Sequence, residues 1–206
     1  IIGRNGAGKS TLLLLAAGLE APSCGRIRID GIRSDRLGLS ARRELVFYQG
    51  PRTPILAGSL RRALTLGLRQ RPADDVIIAA AARCGLAESI ARLGGLDGRL
   101  SEAGRNLSAG EIRRVMLARG VLARAPLLLL DEPDDALDRH GRQLIPDLLH
   151  SLDSTVLLVS HDWSTLARMD EVWFVDGGRI VERGSPEHLS RSGGPTARFF
   201  GLSQAC

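Results

Sequence analysis

Apolar positions along the chain fall into two kinds of run. Short continuous runs at Ile1-Ile2, Leu45 to Tyr48, Leu127 to Leu130 and Thr155 to Val159 read as strands, the last two covered on both faces. Between them lie longer stretches with helical spacing. Lys9 to Leu19 is one, closed by Gly18 and Pro22. Asp74 to Cys84 is Ala- and Ile-rich and stops at Gly85. Glu111 to Ala123 places Ile112, Val115, Met116, Ala118, Val121 and Leu122 on one broad apolar face. Gly141 to Leu152 is another helix, which Pro146 is expected to bend. Arg26 to Ile29 alternates polar and apolar before an Asp30-Gly31 turn, as a strand does. Val172 to Val175 and Arg179 to Glu182 flank Asp176-Gly177-Gly178, which predicts a hairpin. The tail, rich in Ser, Gly and Pro, reads as frayed.

Strands alternating with helices predict an α/β fold around a mostly parallel sheet. The pattern turns helical from about Gly50 to Arg124. Residues 1–49 and 125–206 are therefore expected to form the core, with 50–124 an inserted helical subdomain. Ile1-Ile2-Gly3 reads as a strand end running into a loop, so the first strands of the core are expected upstream. No apolar run approaches the ~18 residues that span a bilayer. The longest candidate, Leu12 to Leu19, is far shorter. Nothing resembles a secretory signal.

The first loop carries the clearest chemistry. Gly3-Arg4-Asn5-Gly6-Ala7-Gly8-Lys9-Ser10 matches the phosphate loop G-x-x-x-x-G-K-[ST], or Walker A. Backbone N–H groups of such a loop can turn inward around a phosphate chain, because glycine tolerates the dihedrals and leaves room. The helix that follows offers its positive end. Lys9 would reach the β- and γ-phosphates, and Ser10 would coordinate Mg²⁺, with Thr11 completing the site. A dinucleotide fingerprint, G-x-G-x-x-G, is not satisfied here.

The run Leu127 to Leu130 ends in Asp131-Glu132 and resembles Walker B. An acid at the C-terminal end of a parallel strand faces the ligand crevice. Asp131 would hold Mg²⁺ through water, and Glu132 would orient and deprotonate the attacking water. Read alone, the same residues could be a strand followed by a polar turn at Pro133.

The segment Asn106-Leu107-Ser108-Ala109-Gly110-Glu111, just before that strand, resembles the signature of ABC-type ATPases, usually LSGGQ. Ser108 and Glu111 also have the spacing of a capping box, and the two readings are compatible. The resemblance extends from Gly3 to about Leu189 and implies a RecA-like P-loop NTPase core. It implies that Ser108, Ala109, Gly110 and Glu111 bind the γ-phosphate of ATP held by a second nucleotide-binding domain. ATP then joins a head-to-tail homo- or heterodimer. It further implies that Gln49 is the Q-loop glutamine, touching Mg²⁺ or the lytic water. Asp135 to Asp138 would be the D-loop coupling the two sites, and His161 the switch histidine on the γ-phosphate. The aromatic that stacks on adenine in this family lies upstream of the loop.

Two looser stretches are exporter-like. Ile55 to Leu60 resembles the segment facing the coupling helices of transmembrane domains, and Ser101 to Gly104 resembles the exporter X-loop. The resemblance thus implies an ATPase powering export from the cytoplasmic face of the inner membrane. Rival readings are a soluble ABC ATPase of DNA repair or translation, a weakly hydrolysing regulatory half of a heterodimer, and a small kinase. Coiled-coil arms or tandem domains of the first rival are not evident, and a kinase would leave the signature and His161 without a task. Two departures stand out: Ala109 replaces Gly and Glu111 replaces Gln. If position 109 needs a positive φ, Ala costs about 1 kcal/mol, and the added charge would oppose phosphate. Unequal sites in a heterodimer follow as an expectation.

Composition narrows the alternatives. The formal net charge is +5, but aromatics make up only 3%, leaving little for base stacking. The Arg pairs are scattered, so a solvated surface is expected and no nucleic-acid partner. Of 28 Lys and Arg residues one is lysine, Lys9 inside the glycine loop. A compact ammonium fits there where a broad guanidinium would not. Cys24, Cys84 and Cys206 have no metal-ligand spacing and read as reduced thiols.

Overall fold

In the computed structural model, which describes residues 1–51, 53 and 55–202, the buried strands line up as one layer. The strands are β1 (Arg28–Ile29), β2 (Ile32–Arg33), β3 (Val46–Gln49), β4 (Gly58–Ser59), β5 (Arg99–Leu100), β6 (Leu127–Asp131), β7 (Thr155–Val159), β8 (Val172–Asp176) and β9 (Arg179–Gly184). The helices are α1 (Lys9–Ala16), α2 (Leu39–Leu45), α3 (Leu60–Thr65), α4 (Asp74–Arg83), α5 (Ala87–Arg92), α6 (Ala109–Ala123), α7 (Arg139–His150), α8 (Trp163–Leu166), α9 (Pro186–Arg191) and α10 (Pro195–Phe200).

The central sheet has the order β3-β6-β7, all parallel, with Gln49 beside Leu130 and Asp131 beside Val159. Ile1-Ile2 continues it. Ser160 N donates to Ile1 O at 3.4 Å on one side, and Val175 N donates to Ile2 O at 2.8 Å on the other. Ile2 pairs parallel with Phe174, so the loop-bearing segment joins β7 to the β8–β9 hairpin. The C-terminal ends of these strands lie along one edge, where open α/β sheets bind ligands.

The continuous apolar runs serve two cores at once. Leu127, Leu129, Leu157 and Val159 face Leu13 of α1 and Ala17 just beyond its end. Leu130, Val156 and Leu158 face the other way, toward Val115, Met116 and Leu122 of α6 and Ile145 and Leu149 of α7. Alternation by two along a strand sends successive residues to opposite faces, so both faces must be apolar. Fully burying each such Leu contributes roughly 1.5–3 kcal/mol. The larger cluster runs on into α3 and α4 through Leu60, Leu64, Ile77 and Ala81.

Several boundaries differ from the sequence expectation. Helix α1 ends at Ala16, with Gly18 at φ 65 closing it. The first hairpin is short because Asp30 and Gly31, both at positive φ, turn the chain back at once. Helix α7 runs on through a buried Pro146. The tail is not frayed through Leu202; residues 203–206, including Cys206, lie outside the described residues. Ser185 caps α9 and Pro186 opens it, and Pro195 opens α10. Proline at the first helical position costs no hydrogen bond, so the residues read as disorder are helix starts. Leu189 and Phe200 dock these helices on Ile2, Leu166 and Val172.

Candidate functional site

Gly3 must be glycine in this setting. Its φ is 146°, and a Cβ there would sit 2.1 Å from the Val175 carbonyl oxygen. The close approach lets the loop leave the sheet and turn over its edge. Gly8, at φ 102°, caps α1 and aims the helix N-terminus at the loop interior. Lys9 is 6% exposed. Its Nζ donates to Gly3 O at 2.8 Å and to Arg4 O at 3.1 Å, which leaves one of three ammonium protons for a ligand. Burial lowers the Lys9 pKa, and Glu132 and Asp131 act against that shift.

A cavity of about 540 Å³ opens over this loop. Asn5, Gly6, Gly8, Lys9, Ser10 and Thr11 form one wall. Pro51, Arg113, Glu132 and Asp135 face them. A second cavity of similar volume, between α4, α6 and α7, is lined by none of the loop residues or acids.

Gln49 and Asp131 lie at the strand ends next to the cavity. Each is 1% exposed. Both carboxylate oxygens of Asp131 and both amide atoms of Gln49 are buried without a hydrogen-bond partner among the described residues. Such groups are costly unless a ligand satisfies them. Burial raises the Asp131 pKa. The Ser10 hydroxyl faces Asp131 and opposes the rise, without completing a well-formed hydrogen bond. Two orphaned oxygen donors beside a serine hydroxyl fit a hard cation such as Mg²⁺, which binds few protein oxygens and keeps water and phosphate as its other ligands. Among the described residues no group of three His, Cys, Asp or Glu forms a protein-only metal cage.

Glu132 turns out of the strand at φ 53°, a backbone conformation unfavourable for a residue with a side chain. Its N–H donates to Val159 O at 2.9 Å. The turn directs the carboxylate to His161, with Oε1 3.3 Å from Nε2. Beneath His161, the Ser160 hydroxyl donates to the buried Asp134 carboxylate, and Asp162 N donates to Ser160 Oγ at 3.0 Å. The Phe199 ring of α10 lies 6.2 Å from the imidazole, centroid to centroid. The structure thus brings together Gly3 to Thr11, Gln49, Asp131, Glu132 and His161.

Ser108, Ala109, Gly110 and Glu111 are elsewhere. At the start of α6, Ser108 and Ala109 are exposed and Gly110 and Glu111 half-buried, and none of them lines that cavity. The capping box is real: Glu111 N donates to Ser108 Oγ at 3.1 Å, and Ser108 N to Glu111 Oε2 at 2.8 Å. Glu111 Oε1 also accepts from Ser89 at 2.5 Å and Arg92 at 2.6 Å. Burial pushes the Glu111 pKa up, but these hydrogen bonds outweigh it and bring it to about 2. Ala109 opens the helix and is not among the residues at positive φ. The strain argument for a weakened signature therefore falls away, because the alanine is unstrained. Glu111 keeps its charge, with the carboxylate shared among the cap, Ser89 and Arg92.

This cap yields a stability prediction with a definite sign. The folded pKa lies below the usual 4.5, so the stabilisation is full above about pH 4.5 and lost as pH falls toward 2. Glu111→Gln is expected to cost about 1 kcal/mol at neutral pH. Urea unfolding should show that difference shrinking below pH 4.5. A pH-independent difference would contradict the charge-based account.

The family profile described as ABC transporter matches residues 1–135. This chain belongs to the ABC transporter family. It is an ATP-binding domain of that family. Curated ABC relatives include the mycobactin import ATP-binding/permease protein IrtB of Mycolicibacterium thermoresistibile, 36% identical over 100% of this chain and 36% of the relative. The ATP-dependent lipid A-core flippase of Haemophilus ducreyi is 33% identical over 98% of this chain and 35% of the relative. A bacterial Atm1-family ABC exporter with ATP bound superposes with a TM-score of 0.90 and 32% identity, covering 97% of this chain and 35% of that one. The chain thus spans about a third of the length of the ABC proteins it matches. The P-loop NTPase fold, with its mostly parallel sheet, agrees with the sequence expectation. Among the described residues no helix is long and apolar enough to cross a membrane.

The sequence reading passed over Arg113, Asp134, Ser160 and Phe199. Asp134 and Ser160 each adjoin a residue it did name, which was the available signal. Phe199 gave none.

Proposed function

We propose that this chain hydrolyses ATP as the motor domain of a membrane exporter, at the cytoplasmic face of the inner membrane. The observation that carries the reading is a division of labour. One cavity gathers the phosphate loop with Glu132, while the signature is displayed on a separate exposed surface. A signature so placed serves the ATP of a second nucleotide-binding domain in a head-to-tail pair.

In this mechanism the loop N–H groups and Lys9 grip the phosphates. Ser10, Gln49 and Asp131 would hold Mg²⁺, which when bound would supply positive charge beside the phosphates. Glu132 accepts a proton from the lytic water and aligns it for in-line attack on the γ-phosphorus. His161, tethered by Glu132 and supported through Ser160 and Asp134, contacts the γ-phosphate. The helical segment 50–124 acts as a subdomain presenting Ser108 to the partner, and Ile55 to Leu60 meets the transmembrane domains. Relatives named for import, lipid flipping and export share this ATPase architecture. Export is favoured by the similarity of the whole domain to the Atm1-family exporter.

The test is ATP hydrolysis by the intact protein in lipid vesicles. Activity requiring Mg²⁺ and accelerated by a transported compound is expected; ATP binding without turnover would refute the motor reading. Because Ala109 and Glu111 are accommodated, the variant Ala109→Gly/Glu111→Gln should turn over within about twofold of the parent. A tenfold gain would instead restore the weakly hydrolysing reading.

A further inference from the structure

Arg113 enters the nucleotide cavity and has no part in the mechanism above. It stands in the second turn of α6, on the wall that also carries Glu132 and Asp135. Its side chain is only 13% exposed. The guanidinium lies 3.5 Å from Asp135 Oδ2, close enough for attraction but without a hydrogen bond of good geometry. Neighbouring arginines on the same helix are committed elsewhere. Arg114 donates to Gly85 O at 2.9 Å and to Asp138 Oδ1 at 3.2 Å. Arg119 is buried against the Ala63 carbonyl. Arg113 alone of the three makes no hydrogen bond to the described residues, and it lines the cavity.

The charge balance gives this placement a purpose. Among the described residues the cavity is lined by the acids Glu132 and Asp135, with Asp131 close enough to feel both cations, against Lys9 and Arg113. Lys9 is drawn down into the loop by the Gly3 and Arg4 carbonyls. Arg113 is the second cation among the residues lining the cavity, on the wall that carries Glu132. A triphosphate carries one more charged group than a diphosphate, and Lys9, with two of its three protons taken by carbonyls, leaves room for a second cation to meet it. A guanidinium offers paired donors that match phosphate oxygens, and charge-assisted bonds of this kind are strong.

We propose that Arg113 is a γ-phosphate contact, held near Asp135 until a triphosphate enters and then turned onto its terminal phosphate. This rests on the reading that the cavity binds ATP. The exchange frees the Asp135 carboxylate, so the segment Asp135 to Asp138 registers whether the third phosphate is present. Arg113 then discriminates ATP from ADP at the site to which its own chain contributes the phosphate loop.

The experiment measures ATP and ADP affinity of the intact protein by displacement of a fluorescent nucleotide analogue. Arg113→Gln is expected to weaken ATP about tenfold while leaving ADP within about twofold. Arg113→Lys keeps the charge without the fork and is expected to lose a smaller share for ATP alone; it carries the test should the glutamine variant misfold. Equal loss for both nucleotides, or no loss for either, overturns the proposal. Failure of the unaltered protein to bind ATP would sink the nucleotide-site reading itself, a distinct result.

Discussion

Glu132→Gln in the intact protein is expected to lower ATP turnover by about 10²–10⁴-fold while ATP binding persists. Glutamine keeps the size of the side chain and the turn at φ 53°, but it cannot accept a proton. The His161 contact at 3.3 Å can survive as a neutral hydrogen bond, so the scaffold stays in place. Two domains closed over uncleaved ATP should then accumulate. Phosphate release and nucleotide retention measured on one preparation separate the outcomes. Retained turnover would mean that another group takes the proton. Loss of binding would mean that Glu132 is structural.

Lys9→Ala should act at an earlier step. It removes the ammonium held by the Gly3 and Arg4 carbonyls and leaves those oxygens lining a phosphate site. It also removes the charge closest to the β-phosphate. A fall of about 10²–10³ in kcat/KM is expected, with much of it in affinity. Titration with ATP at fixed Mg²⁺ checks this, and turnover near that of the parent would sink the assignment. The two variants differ in kind. Glu132→Gln should keep nucleotide and lose chemistry, whereas Lys9→Ala should lose both. Together with the capped carboxylate of Glu111, they separate binding, hydrolysis and presentation of the signature into distinct measurements.

The nucleotide loop was legible because its chemistry is local. Gly3 to Ser10 are contiguous, and the strand-loop-helix context follows from the residues on either side. Asp131 and Glu132 were legible because a run of leucines can hardly be other than a buried strand, whose end faces the ligand edge. The tail shows where local reading misleads. Ser185-Pro186 and Gly194-Pro195 carry the residue types of a loop, and only the docking of Leu189 and Phe200 makes their helices worth forming. The signature illustrates the same point. Ala109 and Glu111 looked like defects beside the usual pattern, yet Ala109 is unstrained, and Ser89 and Arg92, far off in sequence, hold the Glu111 carboxylate in the cap.

By itself the sequence determined where the phosphate-loop pattern lies, which acids end the leucine strand, and that both faces of the sheet are buried. Spacing along the chain is enough for these, because backbone geometry turns it directly into position. Only the tertiary structure decided that Arg113 shares a wall with Glu132, that Asp134 and Phe199 brace His161, and that the signature stands apart from the cavity. Those relations depend on how helices pack across the sheet. Packing brings together residues that no local periodicity marks as neighbours.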